Sequence, residues 1–450
     1  MPAFKIRGVI EGFYGYPWNQ MDRINFIKFL GQNGMNTYVY APKDDPYHRQ
    51  KWRQLYPQNQ IDAFSELLHL SQEANVSIIW ALSPGLSLIY SSDTELDLLK
   101  TKFQAMQKIG FTKFGLFFDD IFNHLVHQED VEKFSSLAEA QAFVANKIFY
   151  FLQKENPAVE IFFCPTEYMG EGQSDYLKEL GIKLNPAVEI FWTGPQVCSS
   201  ALELNNAQTI SKTLRRKIVY WDNYPVNDAA MQPELHLGPY LNRDPKLSDY
   251  ANGILLNPMD KVEASKIALY CAADFLNNPT EYNAESTWLL AIENLVGSKA
   301  KDAFVRFAKA NSYSCLEPYE PKYLLDAVKR FEALISVNDW EGALKDASGF
   351  FTTLNNDLEL LHELPASLVL EIKPWLDEYQ AWIEIALSCL ALGMELQNLQ
   401  AEGAIERLIK ARNTIKEGLL QAIDFKTYCC GDVIRNLAQK IYRATGYFLG

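Results

Sequence analysis

The chain is short of positive charge, with 42 lysines and arginines against 56 aspartates and glutamates in 450 residues and a formal net charge of −14. Sequence-independent nucleic-acid binding neutralises phosphates with Lys and Arg, so this balance argues against a nucleic-acid partner and against a polyanion such as hyaluronan as the main substrate. Long apolar runs are missing as well. None reaches the roughly 18 residues that a membrane span requires, and Met1-Pro2-Ala3-Phe4-Lys5 enters a strand pattern with no apolar leader region. The expectation is a soluble, cytoplasmic chain with no membrane partner, although a chain trimmed of a leader would read the same. The seven cysteines show no spacing pattern, and even the adjacent Cys429-Cys430 read as reduced, mostly buried thiols. His124 and His127 are three apart, but no further His, Cys or Asp cluster completes a ligand set, so neither a metal nor another cofactor is expected. A glycine-rich phosphate turn is also lacking, because Gly12-Phe13-Tyr14-Gly15 is too short and too aromatic to serve as one.

Hydrophobic residues make up 48% of the chain, enough to bury a full core. Eight short apolar runs read as strands: Phe4 to Ile10, Thr37 to Ala41, Val76 to Leu82, Lys113 to Phe118, Val159 to Cys164, Val188 to Trp192, Lys217 to Trp221 and Gly253 to Leu256. Between them apolar residues recur at helical spacing, as in Met21, Ile24, Ile27 and Leu30, or Leu137, Ala140, Val144, Ile148 and Phe151. Strict alternation of strand and helix predicts a parallel sheet, and eight units in roughly 250 residues predict a (β/α)8 TIM barrel, with an open doubly wound sheet as the alternative. The segment Asn156-Pro157-Ala158-Val159-Glu160-Ile161-Phe162 recurs unchanged at 185–191, and each copy leads into a strand.

The barrel is expected to occupy residues 1–282, and the strand signals stop from about Asn283. Leu324, Leu325, Val328, Phe331 and Leu334, then helical stretches near 338–360, 369–395, 400–421 and 427–445, predict an all-α helical bundle over 283–450. The bundle reads as a packing appendage; a homodimerisation element and a wall of the substrate groove are the alternatives.

A barrel places its active site at the C-terminal ends of its strands. Those ends carry Glu11 to Gly15, Pro42 to His48, Asp119-Asp120, Pro165 to Tyr168, Trp192 to Gly194, Trp221 to Asn223 with Asp228 soon after, and Asn257-Pro258. Two adjacent carboxylates closing a buried apolar run, Phe114 to Phe118, demand a use, since carboxylates rarely sit there unpaired. Capping the next turn or neutralising a lysine is the bland use and acid–base catalysis the other. Aromatic faces beside Asp and Asn groups suit a sugar ring, which offers C–H patches and a fringe of hydroxyls that need hydrogen bonds once buried.

Arg7-Gly8-Val9-Ile10-Glu11-Gly12-Phe13-Tyr14-Gly15 with Pro17-Trp18, Tyr38-Val39-Tyr40-Ala41-Pro42-Lys43-Asp44-Asp45-Pro46-Tyr47-His48, Phe118-Asp119-Asp120 and Phe163-Cys164-Pro165-Thr166-Glu167-Tyr168 together resemble glycoside hydrolase family 84, the O-GlcNAcase-like β-N-acetylglucosaminidases. The resemblance runs on through Trp192-Thr193-Gly194, Trp221-Asp222-Asn223 and Leu256-Asn257-Pro258-Met259 to about Trp288, while the remainder is similar to the family's helical appendage only in composition and pattern.

The resemblance implies an exo-acting, retaining hydrolase of terminal β-linked N-acetylglucosamine that works through an oxazoline, the sugar's own acetamide serving as nucleophile. It implies that Asp119 accepts the acetamide N–H and that Asp120 is the acid and then the base. The two roles call for different pKa values, which neighbouring carboxylates are expected to supply because ionising one raises the other. Tyr168 would donate to the acetamide oxygen, and Cys164, Thr193 and Trp221 would surround the acetyl methyl. Asp228, Asn223, Asn257, Lys43 and the backbone of Gly12 would bind sugar hydroxyls. The bland alternatives are barrel core for Trp221, a surface charge or a pair with Asp44 or Asp45 for Lys43, and a small buried hydrophobe for Cys164. The implied partner is a β-N-acetylglucosaminide, on a glycoprotein or a glycan terminus. A catalytically inactive carbohydrate-binding protein on the same barrel, and an endo-acting hyaluronidase-like hydrolase, stay open as alternatives.

Overall fold

A computed structural model describes residues 3–449. Eight parallel strands close into a barrel in sequence order: β1 (Ile6–Glu11), β2 (Thr37–Tyr40), β3 (Ser77–Leu82), β4 (Lys113–Phe117), β5 (Glu160–Cys164), β6 (Glu189–Trp192), β7 (Ile218–Asp222) and β8 (Ala251–Leu256). Each strand pairs with the next, and β8 returns to β1 with Ile6 opposite Gly253. Closure pairs every described strand on both sides, so none presents an open edge. The expected strands match within two residues at either end, and the open-sheet alternative falls.

Helices α1 (Gln20–Gln32), α2 (Gln58–Glu73), α3 (Asp93–Ile109), α4 (Gln128–Lys133), α5 (Leu137–Glu155), α6 (Asp175–Lys183), α7 (Leu204–Leu214) and α8 (Val262–Asn277) lie between or after the strands. Local chemistry fixes where several begin. Asn19 forms a capping box with Asp22, and the hydroxyls of Ser92, Ser136 and Ser174 accept the backbone N–H three residues on. The repeated segment proves to be a repeated local structure. Asn156 Oδ1 accepts from Ala158 N at 3.0 Å and Asn185 Oδ1 from Ala187 N at 2.9 Å, so both copies turn in the same way into β5 and β6. One stripe residue departs from expectation: Met21 is 60% exposed, and Phe26 takes the buried place beside Ile24, Ile27 and Leu30.

The barrel interior holds Ile10, Val39, Ala81, Phe117, Phe162, Phe191, Val219, Trp221 and Leu255. Phe117, Phe191 and Trp221 meet with ring centroids 5.5–5.9 Å apart. Such rings leave room for nothing larger than Gly115, whose added Cβ would stand 2.7 Å from both Ala81 Cβ and the Phe117 ring.

At the end of β7, Asp222 and Arg243 are each 1% exposed at the side chain. Arg243 donates through Nε and Nη2 at 2.9 and 2.6 Å, and Tyr240 donates its hydroxyl to the same carboxylate at 2.7 Å. Removing the cation leaves a buried carboxylate without its charge partner. Arg243→Met is therefore expected to destabilise the barrel by about 3–5 kcal/mol, measured as a fall in the thermal and urea midpoints.

The chain divides into two compact units. One comprises residues up to Asp228, Tyr240–Val262 and Leu269–Ala284; the other comprises Ala229–Pro239, Glu263–Ala268 and Glu285 onward. Within the second unit lie α9 (Ala284–Ala310, kinked at Gly297), α10 (Lys322–Ser336), α11 (Trp340–His362), α12 (Ala366–Gln397), α13 (Ala404–Gln421) and α14 (Val433–Leu449). The long α12 packs against α11, α13 and α14, burying Trp375, Tyr379 and Trp382. Arg306 and Asp357 tie α9 to α11 at 2.5 and 2.8 Å. Among the described residues no helix is long and apolar enough to cross a membrane.

Candidate active site

The expected site residues all lie at or just beyond the C-terminal ends of barrel strands, where the strand-to-helix loops gather. Gly12 follows β1, Lys43 lies three residues past β2, Asp119 and Asp120 follow β4, Cys164 ends β5, Thr193 follows β6, Trp221 and Asn223 flank the end of β7, and Asn257 follows β8.

Lys43 organises the carboxylate pair. Its ammonium, 2% exposed at the side chain, is bonded to Asp119 Oδ2 and lies 3.7 Å from Asp120 Oδ2. Burial opposes its charge, and Asp119, Asp120 and Tyr14 outweigh burial to hold its pKa above the usual lysine value. The pairing with Asp44 or Asp45 does not form. Asp45 instead accepts from the hydroxyls of Tyr40 and Tyr56 and from Tyr47 N, and Asp44 from Gly15 N.

The two acids differ sharply. Asp119 is 4% exposed, and its buried Oδ1 has no hydrogen-bond partner among the described residues. Asp120 is a third exposed at the side chain, with φ +55°, in the left-handed region that Asp tolerates better than most residues. Its Oδ2 accepts from Tyr14 Oη at 2.7 Å and its Oδ1 from Tyr168 Oη at 2.8 Å. Burial acts to raise the Asp120 pKa, but Lys43, the two tyrosine hydroxyls and Arg49 outweigh it and hold the carboxyl below its ordinary value. Among the groups that oppose burial, Lys43 acts most strongly, ahead of the two tyrosine hydroxyls and Arg49.

Cys164 and Trp221, near the ends of their strands, belong to one apolar cluster, and Tyr168 packs against that cluster. Trp221 is 5% exposed and is barrel core as well as site wall. The Cys164 thiol is raised well above its usual pKa by burial, then by Asp119, which makes it an inert apolar surface. Thr193 is joined to Tyr168 by its N–H on Tyr168 O at 2.8 Å, and its hydroxyl is taken by Gln196 O at 2.8 Å. Gly12 is required by packing: an added Cβ would stand 2.4 Å from the Trp221 ring. Its N–H is engaged by Ile10 O at 2.9 Å and Asn257 Oδ1 at 3.3 Å, which leaves its carbonyl as the backbone group still available.

Asn257 Nδ2 donates to Asn223 Oδ1 at 3.0 Å, and Asn223 Nδ2 donates to Val197 O at 2.7 Å, so the two amides fix one another's orientation. Asp228 accepts from Tyr14 N at 2.8 Å, and burial raises its pKa more than that bond lowers it. Other rim carboxylates are committed elsewhere. Glu11 is buried under Arg23, Tyr38 and Trp18 N, and Asp222 under Arg243 and Tyr240.

Three residues given no role in the sequence analysis lie in or beside this constellation, and two of them touch it. Tyr14 and Arg49 engage Asp120, and His48 lies buried with Nδ1–H donating to Ala81 O at 2.8 Å. Burial lowers the His48 pKa to about 4, so its ring is neutral. All three lie in or beside the conspicuous stretches 7–15 and 42–48, and only that proximity could have signalled them.

A closed parallel barrel whose strand ends gather a lysine-bound carboxylate pair, tyrosines, an indole and paired amides is the architecture of a barrel glycoside hydrolase. The chain belongs to the beta-N-acetylglucosaminidase family, whose model matches residues 7–309. It is 38% identical over 272 residues to Protein O-GlcNAcase of Rattus norvegicus and, equally, of Mus musculus; the match covers 59% of this chain and 29% of those relatives. The chain thus matches less than a third of their length. A solved structure described as an O-GlcNAc hydrolase mutant from Thermobaculum terrenum superposes with a TM-score of 0.95 at 38% identity, covering 98% of this chain and 95% of that one.

Proposed function

We propose that the protein is an exo-acting, retaining β-N-acetylglucosaminidase that releases terminal β-linked N-acetylglucosamine with help from the substrate's own acetamide. The observation that carries this reading is the buried Oδ1 of Asp119, unpaired among the described residues, beside an Oδ2 already held by Lys43. A buried acceptor without a donor is costly, and an amide N–H from the substrate would satisfy it.

In the first step the acetamide oxygen forms a bond to the anomeric carbon as the bond to the aglycone oxygen breaks. Asp120 gives its proton to that oxygen, and Asp119 accepts the N–H and balances the positive charge growing on the ring. In the second step water attacks the same carbon, Asp120 takes the water's proton, and the oxazoline reopens to the acetamide. Two inversions give net retention. Standard glycosidases hold their carboxyls about 5–9.5 Å apart across the scissile bond, and substrate-assisted enzymes are the exception that adjacent residues suit. Glu11 and Asp222, being saturated by protein donors, offer no spare nucleophile.

Turnover of an aryl β-N-acetylglucosaminide tests the reading directly. Release of the phenol supports it, and an inert protein that still binds the sugar would favour the binding-protein alternative. Exo action has its own test. In this reading the Asp228 carboxylate accepts hydrogen bonds from the hydroxyls of the terminal ring, bonds worth roughly 1.5–3 kcal/mol each when charged. Asp228→Ala is expected to cut kcat/KM at least about tenfold with little change in thermal midpoint. Internal fragments released from a long N-acetylglucosamine polymer would contradict it.

A further inference from the structure

Tyr14 has one hydroxyl hydrogen, and its surroundings decide where that hydrogen points. Arg49 Nη1 donates to Tyr14 Oη at 2.9 Å. A guanidinium is always charged and has no acceptor, so it occupies a lone pair of the phenol oxygen and the phenol's hydrogen must go elsewhere. It goes to Asp120 Oδ2 at 2.7 Å. The same arginine reaches Asp120 a second time, Nη2 donating to the backbone carbonyl at 3.1 Å. One side chain thus holds Asp120 by its backbone and, through Tyr14, by its carboxyl. The backbone contact falls on the residue whose φ of +55° puts it in the left-handed region. Arg49 is itself well placed to be rigid: it is 8% exposed, and its guanidinium lies 5.7 Å from the Tyr14 ring centroid. The loop carrying Tyr14 is fixed at two more points, Tyr14 N on Asp228 Oδ2 at 2.8 Å and Gly15 N on Asp44 Oδ2 at 3.0 Å.

We propose that Tyr14 and Arg49 are positioning residues for the acid–base carboxyl, tying down Asp120 Oδ2 so that Oδ1 is the oxygen that exchanges the proton with the leaving group and with water. The proposal rests on the reading of Asp120 as acid and base. Among the described residues Oδ1 accepts only from Tyr168, at 2.8 Å. If Tyr168 turns its hydrogen to an acetamide oxygen, Oδ1 is released while the Tyr14 bond to Oδ2 stands. Without the arginine, the Tyr14 hydroxyl is free to point to solvent, and the carboxyl is free to rotate and present either oxygen. The two tyrosines are therefore not equivalent: one is a fixed anchor and the other an exchangeable partner.

The test uses the full chain and the variants Tyr14→Phe, Arg49→Met, Arg49→Lys and the double variant Tyr14→Phe/Arg49→Met. Tyr14 is 40% exposed and Tyr14→Phe removes one oxygen, so that variant is expected to fold as wild type. The first readout needs no turnover: difference infrared titration of the carboxyl band that Asp120→Asn abolishes. Losing a donor to the ionised form should raise the Asp120 pKa in Tyr14→Phe and also raise it in Arg49→Met. The second readout is kcat/KM on a poor and a good leaving group. A loss of about tenfold on the poor one, with at most about twofold on an acidic phenol, is expected for both single variants. The double variant should lose no more than Arg49→Met alone, because Arg49 acts through Tyr14 and through the adjoining backbone. Arg49→Lys keeps the charge without the fork and should not restore the profile. Full rescue by lysine, losses that multiply in the double variant, or a Tyr14→Phe protein with wild-type titration and leaving-group dependence would overturn the assignment. Those outcomes with an active wild type overturn it alone. A wild type inert toward both substrates would overturn the acid–base reading and this assignment with it.

Discussion

Asp120→Asn is expected to lose about 10²- to 10⁴-fold in kcat/KM on a substrate whose aglycone is a poor leaving group, and far less when the aglycone leaves as a stabilised phenolate. The asymmetry follows from the role: a leaving group that needs no proton does not miss the acid. Asp119→Asn should behave otherwise, with losses of similar size for every leaving group, because the charge on the forming oxazoline does not depend on what departs. A second readout separates them. Asp119 neutralises a lysine that is 2% exposed, so Asp119→Asn should also lower the thermal midpoint, whereas the partly exposed Asp120 should matter little to folding. Equal losses for the Asp120 variant across activated and unactivated substrates would sink the acid–base role.

The pH profile carries the same logic. In the free protein Lys43, Tyr14, Tyr168 and Arg49 hold the Asp120 carboxyl below its ordinary value against the opposing effect of burial. A general acid must be protonated to act, and a depressed pKa places the alkaline limb of kcat/KM, which reports the free enzyme, at low pH. If Tyr168 transfers its hydrogen bond to bound substrate, the ionised form loses a donor and its pKa rises. The alkaline limb of kcat should then lie at higher pH than that of kcat/KM. Tyr168→Phe should raise the kcat/KM limb toward it, since the free variant already lacks that donor.

Much of the barrel was legible because its strands are buried on both faces and read as continuous apolar runs, such as Phe114 to Phe118 or Ile161 to Cys164. The turn signals were equally plain where a side chain closes its own loop, as Asn156 and Asn185 do. What stayed hidden was pairing over distance. Lys43 and Asp119 are 76 residues apart and meet only because the barrel brings the ends of β2 and β4 to the same rim. The sequence therefore offered Asp44 and Asp45 as nearer partners, and both went to other donors. Arg49 was invisible for a related reason. A lone arginine in a loop has no periodicity, and its meaning rests on Tyr14, 35 residues back, and on the carbonyl of Asp120, 71 ahead. The reassignment of 229–239 and 263–268 to the helical unit has no sequence signal that we can name.

The β-glucoside that differs from a good substrate only by lacking the 2-acetamido group is expected to be turned over negligibly. In the proposed chemistry that group is the nucleophile, and its removal takes away an intramolecular attack, a type of step whose effective molarity reaches about 10⁵–10⁸ M when the groups are well oriented. It also strands two groups of the protein. Asp119 Oδ1, already without a donor among the described residues, would stay unpaired, and the apolar cluster holding Cys164 and Trp221 would meet no methyl. Sites built to bond a substrate N–H or O–H reject analogues that lack it far more strongly than they reject a missing methylene. The same reasoning makes a thiazoline analogue of the cyclic intermediate a tight inhibitor. It should bind at least about 10²-fold more tightly than substrate, the lower end of the range for such analogues. Inhibition should weaken most in Asp119→Asn, because in the proposed chemistry that carboxylate would face the ring nitrogen of both the intermediate and its mimic. Efficient hydrolysis of the plain glucoside would require an enzymic nucleophile instead, and neither Glu11 nor Asp222, buried and bonded on all sides, is placed to supply one.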